Sequence, residues 1–260
     1  ESGESTDESP LVVDIEALTL DRVAVAWLDV PGKSTGMVEG LTGQGALALS
    51  ESGMALTLSA DAEEATFTLD GIDYLSHTRI AADATLLADA AGEVYTFADN
   101  RITLNDLPLT LDGTVGLAEE AIDLDLRYSA ADAGFKALLS AVPALYARSF
   151  ADMDASGSFT FAGTIIGQSA AELLPAITLD MTVTDGRFGY PSLPGEVSDL
   201  AVDLSLASPA GPTLDDLAVD IRTLTGVMLD QPFSGRLTVT DTQTDPVSYT
   251  HLTLPTTYTV

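Results

Sequence analysis

Histidine is the side chain that most readily exchanges a proton near neutral pH. The chain has two, His77 and His251. A Ser-His-Asp site would need one of them beside an activated serine, and the expectation is that no nucleophile-elbow motif (Gly-x-Ser-x-Gly) supports one. His77 reads instead as a surface turn residue. Asp152-Met153-Asp154-Ala155-Ser156-Gly157 opens like a calcium loop, with acids first and third, serine fifth and glycine sixth. The twelfth residue is Gly163, where such a loop needs a bidentate glutamate. This stretch reads as a turn entering a strand. Adjacent acids occur at Glu63/Glu64, Glu119/Glu120 and Asp215/Asp216. General acid–base work by such a pair needs a pocket that raises one pKa. In a chain with 40 acidic residues, adjacency is expected by chance. Gly40, Gly43 and Gly45 lack the following lysine and helix of a phosphate loop. The absence of cysteine excludes thiol catalysis, disulfides and thiolate zinc sites. The expectation is no catalytic residue, no metal and no cofactor, so the elements themselves carry the information.

Composition narrows the partners. The 260 residues are 46% hydrophobic, enough for a sizeable core. The formal charge is −30, with 27 Asp among the acids, two Lys and eight Arg. No basic stripe exists to displace counterions from phosphates, which excludes nucleic acid. Attraction to an anionic membrane surface is excluded for the same reason. No apolar run reaches the ~18 residues that a spanning helix needs. Such a charge keeps a chain hydrated in salt, as a saline habitat demands.

Period-2 alternation dominates, which is the strand pattern. Val23, Val25 and Trp27 share one face. So do Ile122, Leu124, Leu126 and Tyr128, with Asp123, Asp125 and Arg127 opposite. The pattern returns at Ile177/Leu179/Met181/Val183, Leu200/Val202/Leu204/Leu206, Leu217/Val219/Ile221 and Leu237/Val239. Shorter matches such as Leu47/Leu49, Leu56/Leu58, Tyr95/Phe97 and Ile102/Leu104 lie between. Asp70-Gly71, Asp112-Gly113 and Asp185-Gly186 have the composition of tight hairpin turns, and Ser52-Gly53, Ala91-Gly92 and Asn100-Arg101 could serve likewise. The fold expected is mostly β, a long curved antiparallel meander with one dry and one wet face. One segment departs from it. Phe135, Leu138, Leu139, Val142, Leu145 and Tyr146 form a helical stripe, predicting a helix over 132–150 that is capped by Asp132 and kinked at Pro143. A second short helix is predicted over 169–174, closed by Pro175.

The ends differ from the middle. Residues 1–10 read as a disordered acidic tail. A start at Glu1 instead of Met suggests a processed product or fragment. Residues 247–260 contain no acid, and Val247 to Thr256 look like translated sequencing-adapter DNA, so they read as a non-native tail. Between these ends lie an N-terminal antiparallel β segment over 11–130 and a second β segment with the helix over 131–246.

From Phe135 onward the chain resembles the C-terminal region of AsmA-family envelope proteins. The resemblance rests on the Phe135-Lys136-Ala137-Leu138-Leu139-Ser140-Ala141-Val142-Pro143 helix followed by Tyr146, then Asp154-Ala155-Ser156-Gly157-Ser158-Phe159 with Phe161-Ala162-Gly163. Leu174-Pro175 follows, and then Asp185-Gly186-Arg187-Phe188-Gly189-Tyr190-Pro191-Ser192-Leu193-Pro194 leading into Val197-Ser198-Asp199-Leu200. It covers about Leu104 to Val239. What it implies is a periplasmic protein of the cell envelope, anchored in the inner membrane by an N-terminal helix that this sequence does not contain. It also implies a curved β-groove that serves outer-membrane biogenesis and phospholipid transport, with no catalytic residues.

The sequence itself asks how a one-sided apolar sheet is covered. Ile122, Leu124, Leu126, Ile177, Leu179, Val202, Leu204, Val219 and Ile221 are the candidates for contact with phospholipid acyl chains. The same residues could instead form the closed, dry core of a structural or adhesive cell-surface β-protein from a salt-adapted bacterium. A hydrolase working through a carboxylate pair would need one acid buried in a cleft.

Overall fold

The computed structural model describes residues 12–30, 33–69, 71–134, 137, 154–189, 195–240 and 247–253. They form one antiparallel sheet of thirteen strands, paired strictly in chain order. The strands are β1 (Val13–Asp29), β2 (Ser34–Ser50), β3 (Gly53–Leu69), β4 (Ile72–Asp89), β5 (Val94–Leu104), β6 (Leu107–Leu117) and β7 (Ile122–Gly134). Then follow β8 (Asp154–Ser169), β9 (Ala176–Gly189), β10 (Val197–Ser208), β11 (Ala218–Met228), β12 (Gln231–Thr240) and β13 (Val247–Thr253). Each strand packs on its sequence neighbours and no second sheet covers it, so among the described residues the sheet is open and one layer thick. The boundary expected at 130/131 falls inside β7, which is hydrogen-bonded to both β6 and β8. The segment over 247–253, read as a non-native tail, lies along β12 as the last strand. A free sheet edge accepts any extended Thr-rich backbone, so that pairing is neutral as to its origin.

Alternation builds the faces. Along β7, Leu124, Leu126, Tyr128 and Ala130 point one way because successive side chains alternate. Ala130 opposes Phe161, then the row runs through Met181, Leu204 and Ile221 to Leu237. On the other side Ala130 packs with Leu109. That row continues through Ile102, Ala82, Ala60 and Gly43 to Leu20. One apolar row therefore crosses twelve strands. A parallel row joins Ile15, Leu47, Leu56, Leu86, Phe97, Gly113, Leu126, Ile165 and Ile177. The tightest packing is at Leu107, Ala130, Ala133, Ala137, Phe159 and Val183.

Mid-strand irregularities interrupt the alternation. Arg22, His77, Asp99, Asp185 and Asp199 have positive φ, and each lies at or beside a shift in pairing register. A residue in the left-handed region adds one position to its strand and moves the following side chains to the other face.

Several expectations are corrected. Asp132 lies within β7, which runs on to Gly134, so it is strand backbone and not a helix cap. Beyond Gly134, and apart from Ala137, the helix predicted over 132–150 lies outside the described residues. The same holds for residues 1–10 and for the turn residues Tyr190 to Pro194. The short helix over 169–174 is replaced by a tight turn in which Ala170 and Leu173 exchange backbone hydrogen bonds of 2.8 and 3.2 Å. Leu174 then pairs with Gly211. Six residues ending at a proline give too few hydrogen bonds to offset helix nucleation. Asp112-Gly113, Asp185-Gly186 and Asn100-Arg101 are not hairpin turns either; each lies inside a strand. The β5–β6 turn is Asn105-Asp106, with Asn105 at φ 55°.

Candidate functional site

The nine candidate residues come from four strands, and the register places all of them on the apolar face. Ile122, Leu124 and Leu126 alternate along β7, with Ile122 at the exposed end. Leu126 opposes Ile165, which opposes Ile177. Leu179, Leu206 and Val219 form one cross-strand row, and Met181, Leu204 and Ile221 form the next. Val202 lies between Val183 and Leu224. Apart from exposed Ile122 they are half-buried: side neighbours cover their flanks, no second sheet lies over them among the described residues, and Ala137, just beyond β7, joins the cluster against which Val202 packs. Antiparallel strands are ~4.8 Å apart, so a twelve-strand row is about 50 Å wide. Ideal alternation on adjacent strands is what lets nine side chains from distant stretches of sequence align.

Aromatic rings lie flat on this face where glycine leaves room. The Tyr128 ring covers Gly163, where a β-carbon would come within 2.5 Å of it. Its hydroxyl donates to the Thr178 carbonyl at 2.9 Å. Burial pushes the Tyr128 phenol above its ordinary value of 10.0. Phe161 meets the Tyr128 ring edge-on at 6.1 Å and stacks on Phe159 at 5.9 Å. Trp27 covers Gly36 in the same way.

The opposite face is polar. Hydroxyl pairs bridge strands at Thr110–Ser129 (2.7 Å) and Thr164–Thr178 (2.8 Å), and Ser59 donates to Asp83 at 2.6 Å. Arg222 of β11 reaches across two strands, donating to Asp203 (2.6 and 3.0 Å) and to Asp180 (3.1 Å). Those carboxylates hold its guanidinium above the ordinary arginine range. Shallow hollows of about 470 and 340 Å³ lie mostly between side chains of this face, one around Asp61, Asp83 and Arg101, the other around Asp112, Arg127 and Asp180.

The chemistry-bearing residues do not converge. His77 contacts Glu64 through Nδ1 on the exposed surface of β4. Contrary to expectation, the spacing Gly-x-Ser-x-Gly does occur, at Gly32-Lys33-Ser34-Thr35-Gly36. Ser34 opens β2, opposite Asp29 and Leu69, and is not on the strand-to-helix turn that makes such a serine a nucleophile. Glu119/Glu120 and Asp215/Asp216 are in connections at the sheet ends. Asp154 begins β8, while Asp152 and Met153 of the calcium-like stretch lie outside the described residues. Among the described residues no group of three or more His, Asp or Glu is placed to hold a metal ion, and no helix is long and apolar enough to cross a membrane.

Comparison with protein-family models, curated proteins and solved structures finds no match for this chain.

Proposed function

We propose that this protein is a non-enzymatic component of the bacterial cell envelope, of the AsmA type, that carries phospholipid acyl chains along the apolar face of its sheet. In this reading it works in the periplasm, held by an inner-membrane anchor, and serves outer-membrane biogenesis. The observation that supports it is the apolar face, continuous from Leu20 on β1 to Leu237 on β12, over which no second sheet lies among the described residues. Exposed apolar surface costs ~25 cal/mol per Å², and a sheet in water needs something to remove that cost. An acyl chain gains ~0.8 kcal/mol per buried methylene. The face is about 50 Å wide by strand spacing, against ~30 Å for a whole bilayer hydrocarbon core, so it has room for several chains. The alternative of a structural surface protein with a closed core would need a second layer over Leu124, Leu179 and Leu204.

The test is native mass spectrometry with lipid extraction on protein purified from bacteria without detergent. The expected result is phospholipid retained at a defined stoichiometry. It should be lost in Leu124→Asp or Leu204→Asp when circular dichroism shows the variant folded. A folded, monodisperse protein without lipid would overturn the reading.

A further inference from the structure

Near the turn joining β1 to β2, the division into a dry and a wet face ends. Val23-Ala24-Val25-Ala26-Trp27-Leu28-Asp29-Val30 is apolar at seven of its eight positions, so both faces of this edge strand are apolar. Trp27 is 44% exposed on the face shared with Gly36 and Phe67. Leu28, on the opposite face, is 69% exposed, and Val30 in the turn is 71% exposed. The apolar surface extends sideways beyond the edge strand. Met37 of β2, paired with Ala26, is exposed on Leu28's side, and Tyr74 of β4 is exposed beside Phe67. Trp27 stacks on Phe67 at 6.1 Å, which holds the indole in place. Elsewhere the second face carries mostly Asp, Thr, Ser and Arg, with Leu87 and Ile166 exposed singly.

We propose that this hairpin end is a membrane-docking tip, which inserts Leu28 and Val30 into the interface of a neutral phospholipid bilayer with Trp27, Met37 and Tyr74 at headgroup level. Apolar side chains on both faces and at the turn match a medium that surrounds the tip, whereas a groove for a partner would be one-sided. Trp and Tyr favour the boundary between acyl chains and water. Charge selects among the occupants. Two copies pairing along β1 would bring together chains of −30 each, with Asp14, Glu16, Asp21 and Asp29 on the joining strands. Anionic lipid would repel the same acids. A zwitterionic surface does neither, and the tip carries Lys33, one of only two lysines, close to Asp29 in sequence. Docking requires no lipid on the apolar face, so it stands apart from the function proposed above.

Trp27 is the only tryptophan, which makes it a specific reporter. The experiment is flotation of the full chain with phosphatidylcholine vesicles, together with Trp27 emission and its quenching by lipids spin-labelled at graded depths. The expected result is co-flotation, a blue shift and strongest quenching by shallow labels. Leu28→Asp and Val30→Asp should each lower the partition about tenfold or more, the transfer free energy of one such side chain. Both variants should keep any lipid bound to the apolar face, because Leu28 is on the opposite face and Val30 lies in the turn beyond the strand. Leu204→Asp should do the reverse, losing face-bound lipid and floating normally. Failure of wild type to float, or equal flotation of wild type and both tip variants, would overturn the proposal. So would a concentration-dependent dimer that the tip variants abolish without vesicles, since the tip would then be a self-contact.

Discussion

At the scale of single residues, the pairing of Tyr128 with Gly163 shows how the face stays smooth. A side chain at 163 would collide with the ring and with the Thr178 carbonyl, and the ring in turn covers backbone that glycine leaves bare. The phenol donates to that carbonyl, while the Thr164 amide donates to the Thr178 hydroxyl at 3.1 Å. Burial disfavours the phenolate, so the folded-state pKa lies above the unfolded one. Stability from this group is therefore fully present below pH 10, and is lost as pH rises through the raised value. Ultraviolet titration of the folded protein should show a late phenolate component that Tyr128→Phe removes. A Tyr128→Phe variant with an unchanged titration curve would refute this.

At the scale of elements, what was legible depended on phase. The alternation at Ile122 to Tyr128 and at Ile177 to Val183 was readable because β7 and β9 keep one phase over those residues, and it put Ile122, Leu124 and Leu126 on one face of β7 and Ile177 and Leu179 on one face of β9. The full lengths of β2 and β3 were hidden. Each changes phase near its middle, at Gly40 in β2 and near Glu63-Glu64 in β3, so a seventeen-residue strand looks like two short ones. Left-handed residues within other strands include His77, Asp99, Asp185 and Asp199, types that tolerate the conformation yet do not announce it. Asp112-Gly113 misled because Asp-Gly marks turns by composition alone, whereas Asn105-Asp106 was masked by Leu104 and Leu107, which continue an apolar rhythm across it. The tip of β1 was visible as a run but looked like ordinary strand, since exposure is not written in the sequence. As an edge strand, β1 has one row of backbone groups facing no partner. In hydrogen exchange, every second amide of β1 should exchange quickly while those of β6 to β9 remain protected. Uniform protection along β1 would mean that another chain covers that edge.

At the scale of the whole molecule, charge opposes compaction. A single-layer sheet holds its acids close together on one face, where ion pairs such as Arg222 with Asp180 and Asp203 offset only part of the repulsion. Exposed charges are screened beyond ~8 Å at physiological ionic strength and beyond ~3 Å at about 1 M. Thermal unfolding should therefore move upward between ~0.01 M and ~1 M sodium chloride. A melting temperature unchanged over that range would show that the acidic face does not limit stability.

Strictly sequential pairing also has a consequence for how the chain comes into being. Every strand after the first finds its partner in the strand made just before it, and none waits for a segment still to be synthesised. Assembly can thus keep pace with emergence from a ribosome or a translocon, hairpin by hairpin. Throughout that growth only β1 and the newest strand lack a second neighbour, so one aggregation-prone edge stays fixed at β1 while the other travels with the end of the chain, and neither widens.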